Sequence, residues 1–149
     1  LKAVGERVMF VKRISLEHIE IIAHQLAVAT MSWDEPIPAF QTRYPNVLES
    51  CINAPFQTYG RKDLYPTLNH KTAILFYLLI KNHPFQNGNK RIAVTTLLVF
   101  LFLNNHWLQV APQKLYNLAI WTAQSDPDLR DTVIAGLVEF LERYTKEVK

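Results

Sequence analysis

The run from Ile92 to Leu103 constrains the fold of this chain more than any other part of the sequence. If it forms a helix, that helix is apolar on every face apart from Thr95 and Thr96, and it has no side suited to water. The helix expected around it, over residues 89–104, has roughly 15 residues, whereas a membrane span needs about 20. The sequence therefore predicts the buried central helix of a bundle and no membrane partner.

Length and composition indicate one globular domain over residues 1–149. The chain is 49% hydrophobic and 19% charged, which is typical of ordinary soluble domains, and it is long enough to bury a core. The 16 Lys and Arg residues are scattered and the net charge is +3, so nucleic-acid binding by this chain alone has little support. The single cysteine, Cys51, cannot form an internal disulfide, and no secretion signal is visible. We therefore expect a cytoplasmic protein.

Helix-end signals predict further helices packed around the central one. Ser15, Asn46 and Asp126 are each placed to cap a helix N-terminus. Pro66 suits the first turn of the helix that precedes the central one. The predicted helices cover residues 15–30, 46–53, 67–81, 89–104, 112–124 and a last one from 126 onward.

Three segments favour extended backbone. Residues 55–63 cannot be helical throughout and predict an extended segment or a hairpin around Gly60. Residues 8–12 form a short apolar run that predicts a brief strand, and residues 107–110 predict a short strand or turn. The predicted fold class is therefore all-α, a single-domain helical bundle around a buried central helix with a short β-hairpin.

For four side chains the sequence indicates whether they lie in the core or at the surface. Tyr116 and Trp121 fall within a predicted helix and are expected in the core. His18 and His24 fall on the flanks of their helix, with no Cys or acidic partner at metal-ligand spacing. Both histidines are therefore expected at the surface.

The loop before the central helix carries the candidate chemistry. Residues 82–91 have the sequence N-H-P-F-Q-N-G-N-K-R. A helix N-terminus offers unpaired N–H groups and the positive end of the dipole, and Lys90 and Arg91 add two cations, so this turn suits phosphate. Gly88 has no side chain to block a ligand. His83, with an ordinary pKa of about 6.5, suits a general base at the other end of the loop.

Each of these features alone has an ordinary explanation. A lone histidine before proline commonly marks a helix end, and a basic helix start is commonly solvated. Together, a base that faces a phosphate cradle suggests transfer of a phosphate-containing group to a hydroxyl. Two other classes stay open: a catalytically silent binding protein and a small helical nucleic-acid binder, for which the pI near 9.0 is the only support.

The nine residues from His83 to Arg91 closely resemble the signature of the Fic/Doc family, His-x-Phe-x-(acidic or Asn)-(Gly or Ala)-Asn-(Gly or Lys)-Arg. L-Y-P-T-L at 64–68, K-N-H at 81–83 and the total length are similar to Doc-type toxins of bacterial toxin and antitoxin pairs. The resemblance implies a transferase that uses ATP or another NTP, with Mg²⁺, to modify a Ser or Thr hydroxyl of a protein substrate. It also implies that the 55–63 hairpin is a flap that lays the target's backbone beside the histidine, where the alternative is a surface turn.

Carried over by position, the resemblance assigns roles within the motif. His83 would be the base that takes the proton from the target hydroxyl, and Phe85 would be a buried plug that holds the loop. Arg91 would bridge phosphates in a bidentate manner. The residues that would hold the nucleotide are Gly88, Asn89, Lys90 and Arg91.

Three positions separate the chain from the common adenylylating pattern. Asn87 stands where that pattern has an acidic residue, Lys90 stands where it has Gly, and Val94 replaces a second Arg. Lys at position 90 resembles the Doc-like branch, which transfers phosphate, so phosphoryl transfer is favoured over AMP transfer. As a metal ligand, Asn87 offers Mg²⁺ only a neutral oxygen, which keeps a silent, antitoxin-binding member as an alternative. No Ser/Thr-x-x-x-Glu-Gly/Asn inhibitory sequence occurs in the 149 residues, so a separate antitoxin chain is expected.

Overall fold

The computed structural model describes residues 10–31 and 35–148, and these form six helices and two small antiparallel sheets. The helices are α1 (Leu16–His18, Ile19–Ala23 and His24–Thr30 in one run), α2 (Pro45–Asn53), α3 (Leu68–Lys81), α4 (Asn89–Leu103), α5 (Pro112–Gln124) and α6 (Arg130–Tyr144). The strands are β1 (Thr58–Tyr59), β2 (Lys62–Asp63), β3 (His106–Leu108) and β4 (Thr145–Glu147). The all-α fold class expected from the sequence is confirmed.

The predicted central helix is α4, which is surrounded by α1, α3 and α5, while α6 packs on α3. Its apolar side chains are buried on several faces, as expected for a helix without a polar side. These buried side chains and those of the neighbouring helices form the core. Each fully buried Leu or Phe in it stabilises the fold by about 1.5–3 kcal/mol. Over residues 10–31 and 35–148, no helix combines the length and the apolar character that a membrane crossing requires.

The two threonines of α4 differ in their hydrogen bonding although both are buried. Thr95 Oγ1 lies 2.8 Å from the carbonyl oxygen of Ala23 and donates to it, which joins α4 to α1. Thr96 Oγ1 has no hydrogen-bond partner among the residues described. The hydroxyl groups of the two threonines are therefore expected to contribute differently to the free energy of unfolding.

Several helix starts follow the signals in the sequence. The Ser15 hydroxyl accepts from the His18 backbone N–H, and the Thr67 hydroxyl accepts from the His70 N–H. The Asp126 side chain accepts from the Asp128 N–H and begins a 3₁₀ turn over Pro127–Leu129, one turn before α6. The expected caps at positions 15 and 126 are thus confirmed.

Two details of the predicted helix starts are wrong. α2 begins at Pro45 with Tyr44 before it, so Asn46 is inside the helix and not its cap. Proline is well suited to the first helical position because its missing N–H would have no partner there. Pro66 lies one residue before the Thr67 cap and not in the first turn of α3.

The hairpin expected over residues 55–63 is confirmed. Thr58 pairs with Asp63 and Tyr59 pairs with Lys62, and the turn residues Gly60 and Arg61 both have positive φ, +58° and +68°. Two successive left-handed residues match the tight turn that suits the twist of a hairpin.

The other expected strands have different outcomes. The strand expected near 107–110 is β3, which begins at His106, ends at Leu108 and pairs with β4. Residues 8 and 9 of the strand expected over 8–12 lie outside the described residues, and Phe10 to Lys12 are not in a strand. β4 was not expected, because its partner is far away in the sequence.

The expected positions of the histidines and aromatic residues need correction. His24 is buried, 6% exposed, and its Nε2 lies 2.8 Å from the Pro38 carbonyl oxygen. It follows the π-helical segment Ile19–Ala23, whose wider turns rotate the later residues away from the face that a 3.6-residue period predicts. His18 is half-buried against Ser15, and Trp121 is 48% exposed and not in the core.

Candidate active site

Residues 82–88 connect α3 to α4 and begin with a strong helix stop. The Asn82 backbone N–H still donates to Leu78, but His83 has a φ of +51° and Pro84 follows it. A left-handed backbone costs a non-glycine residue roughly 1–2 kcal/mol, and strain of this kind is concentrated at functional sites. The His83 imidazole is exposed at the strained position.

Phe85 turns inward and anchors the loop. It is 2% exposed, and its ring centroid lies 5.9 Å from those of His24 and Phe40. Asn89 holds its backbone from the other side, since Oδ1 accepts from the Phe85 N–H at 2.9 Å and Nδ2 donates to the Phe85 carbonyl at 2.8 Å. The same Nδ2 lies 3.5 Å from His83 Nδ1. Phe85 is therefore buried and holds the loop, as expected, and the Asn89 side chain contacts both Phe85 and His83.

The first turn of α4 leaves three backbone N–H groups without a partner in the helical ladder, and the residues that carry them line the site. The first of the α4 hydrogen bonds runs from the Ile92 N–H to the Gly88 carbonyl, so the N–H groups of Asn89, Lys90 and Arg91 precede the regular ladder. Gly88 has a φ of +78°, and a Cβ atom there would lie 2.9 Å from Ile37 Cγ1. Glycine is thus required by the backbone angle and by the contact with Ile37.

A cavity of about 280 Å³ lies against this turn. Its lining includes all six predicted site residues, His83, Asn87, Gly88, Asn89, Lys90 and Arg91. One cavity therefore joins the exposed imidazole to a helix N-terminus that carries two cations. This arrangement suits a phosphate group held close to a base.

Arg91 is deeply buried for a predicted phosphate ligand. It is 2% exposed, and its Nη1 donates to the Met31 carbonyl at 3.1 Å. It still borders the cavity, as does the half-buried Lys90. The guanidinium is thus fixed in place at the inner wall, and Lys90 is the more accessible cation.

Asn87, the predicted metal ligand, is engaged within the loop. Its Oδ1 accepts from the Gly88 N–H at 2.8 Å, and its Nδ2 donates to Glu35 Oε1 at 3.3 Å. Within residues 10–31 and 35–148, no three His, Cys, Asp or Glu side chains form a metal-binding group. Mg²⁺ commonly binds through one or two carboxylates together with substrate phosphates. Glu35 supplies one such carboxylate, so Glu35 together with Asn87 could hold the ion, although the Asn87 oxygen already accepts from the Gly88 N–H and its nitrogen faces Glu35.

Several cavity and support residues were not found from the sequence. Tyr116, which was expected in the core, is half-buried and lines the cavity from α5. Gln86 lines it within the motif, while Ile80 and Ala123 add apolar wall. Of these residues, only Gln86 could have been found from the sequence, because it lies inside the motif loop. The contacts of α5 residues with the cavity depend on tertiary packing, which leaves no local signal.

Cys51 lies at the back of the loop and is chemically quiet. It is fully buried, and burial raises the pKa of its thiol to about 11 in spite of a hydrogen bond with Asn82. The thiol therefore stays protonated near neutrality and is a poor nucleophile.

Comparison with known proteins agrees with the geometry of the motif. Residues 13–101, more than half of the chain, match the sequence profile of a family described as Fic/DOC family. The chain belongs to the Fic/DOC family, whose members are generally transferases that use nucleoside triphosphates and move AMP or phosphoryl groups to proteins. Searches among curated proteins and among solved structures found no match.

Proposed function

We propose that this protein transfers a phosphoryl group from ATP or another NTP to a Ser or Thr hydroxyl of a target protein, as a Doc-like toxin of a toxin and antitoxin pair. The observation that carries the proposal is the cavity shared by His83 and the first turn of α4. A general base and a phosphate-binding turn in one cavity are the two parts that such a transfer needs.

In the proposed reaction His83 takes the proton from the target hydroxyl as its oxygen attacks the γ-phosphorus. A new P–O bond forms to the target, and the bond between the γ-phosphorus and the bridging oxygen breaks, so the nucleoside diphosphate leaves with the electron pair. The N–H groups at the start of α4, with Lys90 and Arg91, offset the negative charge of the phosphate oxygens. Mg²⁺, when bound, would add to that charge compensation.

Lys90 is the reason for favouring phosphoryl over AMP transfer. It borders the cavity where the common adenylylating pattern has Gly, so a bulky cation occupies part of the phosphate site. We infer that this side chain changes which phosphate faces the acceptor. In AMP transfer the α-phosphorus would be attacked instead, and pyrophosphate would leave.

Mass spectrometry of modified protein in cell extract tests the proposal. After incubation with the protein and ATP, a target should gain roughly 80 Da for a phosphoryl group, against roughly 330 Da for an AMP group. Parallel reactions use ATP labelled at the γ- or the α-phosphate. Phosphoryl transfer labels the target from the γ-phosphate, and AMP transfer labels it from the α-phosphate. If only the α-phosphate label reaches the target, the reaction is AMP transfer and the proposal of phosphoryl transfer is wrong. If neither label reaches the target, the result favours the silent binding protein.

A separate antitoxin is the partner that we propose. The toxin and antitoxin pairs that the chain resembles are controlled by a separate chain, and residues 1–149 contain no sequence of the inhibitory type. Such a partner would be a segment that folds on binding. Growth arrest on expression of this chain alone would support external control, and growth without arrest despite measurable transfer would contradict it.

A further inference from the structure

Lys81 is the last residue of α3, two positions before His83, and its side chain joins α3 to α5. It is half-buried, and its Nζ donates to the Ser125 carbonyl at 2.6 Å and to the Ala123 carbonyl at 3.3 Å. These acceptors lie 44 and 42 residues further along the chain. One ammonium group therefore connects the helix that leads into the motif loop to the end of a second helix.

Two helix ends meet at this ammonium group, which favours a cation there. α3 ends at Lys81 and α5 ends at Gln124. The last carbonyl groups of a helix have no partner within the helix and carry the negative end of its dipole. The Lys81 side chain offsets that charge and binds two carbonyls from the end of α5. The end of α3 is therefore held against α5 by charge as well as by hydrogen bonds.

This connection lies beside the candidate base. A second cavity, of about 400 Å³, is bordered by Lys81 and by its neighbours Asn82 and His83, with Ala123 on the α5 side. His83 and Ala123 also border the phosphate cavity, but Lys81 does not. The bond from Lys81 to the Ala123 carbonyl therefore fixes the α5 wall relative to the backbone that carries the histidine.

The position of the His83 imidazole depends on that backbone. The imidazole is exposed, and its contact with the Asn89 amide is long, 3.5 Å from Nδ1. The backbone of His83 has a φ of +51°, a conformation that persists only where the surrounding structure holds it. Where α3 ends therefore decides where the imidazole lies, and Lys81 fixes that end.

We propose that Lys81 is a positioning residue for the transfer reaction: by joining α3 to α5, it holds His83 where the imidazole takes the proton from the target hydroxyl. This proposal rests on the proposed function. A shift of about 1 Å in a reacting group can lower a rate by about 10²-fold. The phosphates would be held by the first turn of α4, in the cavity that Lys81 does not border. The role therefore predicts a slower reaction at saturating ATP with nucleotide affinity retained.

The test compares Lys81→Met and Lys81→Arg with a control, Asn104→Ala. Methionine keeps most of the apolar stem and removes the charge and the donors, whereas arginine keeps both. Asn104 is also half-buried, and its Nδ2 donates to the Lys12 and Phe100 carbonyls at 3.1 Å and 3.0 Å. It follows α4 at the end opposite the motif loop. The control therefore also loses two bonds to backbone carbonyls, but far from His83.

The rate of γ-phosphate transfer into cell-extract protein is measured against ATP concentration. For Lys81→Met we expect the saturated rate to fall about tenfold or more, with the half-saturating ATP concentration within about twofold of wild type. Lys81→Arg should restore the saturated rate to within about threefold of wild type. Asn104→Ala should keep it within about twofold, even where the variant unfolds at a lower urea concentration.

Hydrogen exchange of the full chain supplies a measurement that does not depend on activity. In Lys81→Met, amide exchange should become faster at residues 82–85 and 122–125, and in Asn104→Ala it should stay unchanged there. If Lys81→Met fails to fold, Lys81→Gln takes its place, because the glutamine amide keeps donors without the charge. The same changes are then expected in the same quantities, with a smaller fall in rate.

A wild-type saturated rate in the folded variant would overturn the role of Lys81 and leave the proposed function intact. Equal losses of rate in Lys81→Met and Asn104→Ala would also overturn it, by showing a general effect of lower stability. A higher half-saturating ATP concentration with an unchanged saturated rate would assign Lys81 to nucleotide binding instead. If the wild-type protein transfers no label, the proposed function itself fails and the positioning role fails with it.

Discussion

Asn89 and Phe85 exchange two hydrogen bonds across the start of α4, at 2.9 Å and 2.8 Å, and both residues are buried. The Asn89 amide also reaches to 3.5 Å from His83 Nδ1. One side chain therefore fixes the plug of the loop and limits the position of the imidazole. Because both polar atoms of the Asn89 side chain are bonded to Phe85, the phosphate contact that the motif suggests for Asn89 would fall to its backbone N–H.

Asn89→Ala should destabilise the protein and lower its transfer rate together. The substitution leaves the buried N–H and carbonyl of Phe85 without partners, and each such group costs about 1–3 kcal/mol. Urea unfolding should detect the loss, and labelled ATP should detect the fall in rate. Gln86→Ala, an exposed residue of the same loop, should stay within about 0.5 kcal/mol of wild type in stability. Equal stability of the two variants would contradict the anchoring role of Asn89.

His83→Gly should separate activity from stability. Loss of a general base typically lowers a rate by about 10²-fold or more, whereas glycine adopts the +51° φ without the strain of a side chain. Transfer should therefore nearly disappear while resistance to urea is equal or greater. His83→Ala should lose the same activity and gain no stability. Wild-type transfer by either folded variant would remove His83 from the mechanism.

The sequence predicted the centre of the fold and the motif loop because their signals are local. A helix without a polar face must be buried, which placed α4, and a proline after His83 must end a helix, which placed the loop. The hairpin followed from residues between 55 and 63 that cannot be helical. In each case the deciding residues are neighbours in the sequence.

The support of the loop could not be predicted, since it depends on distant contacts. The contact of Ile37 with Gly88 and the hydrogen bond of Arg91 to Met31 join segments with no shared pattern. A regular helical period places His24 at the surface, but the π turn before it rotates the side chain into the core. The pattern around Tyr116 predicts a core residue, since burial in the core and lining of a cavity give the same apolar pattern.

The two threonines of α4 give a matched pair for stability. Thr96→Val removes a buried hydroxyl for which the described residues provide no partner, so stability should stay equal or rise by about 1 kcal/mol. Thr95→Val removes the same atom together with its hydrogen bond to the Ala23 carbonyl, so stability should fall by about 0.5–1.5 kcal/mol. Thermal or urea unfolding distinguishes them. The same change in both variants would show that the bond to Ala23 has no net effect.

Cys51 should make stability fall at high pH. Burial raises the pKa of its thiol from 9.0 to about 11, so the folded state keeps a proton that the unfolded state loses. This contribution is fully present below pH 9 and is lost as pH rises towards 11, with a total of roughly 2 kcal/mol. Cys51→Ala should be less stable near pH 8 but should lose less stability between pH 9 and 11. Parallel pH profiles for the two proteins would contradict the prediction.

Asn87→Asp tests whether position 87 holds the metal. The substitution keeps the size of the side chain and replaces the amide that donates to Glu35 by a second carboxylate. Two facing carboxylates repel each other without a cation and bind Mg²⁺ better than an amide does, so the Mg²⁺ concentration for half-maximal transfer should fall. If Asn87 serves only the loop, metal dependence should stay the same and stability should fall, because Asp still accepts from the Gly88 N–H but no longer donates to Glu35 and places a second carboxylate beside it. Titrating Mg²⁺ against transfer for wild type, Asn87→Asp and Glu35→Gln decides between these roles, because a weakened response in Glu35→Gln shows that the carboxylate already present contributes to the site.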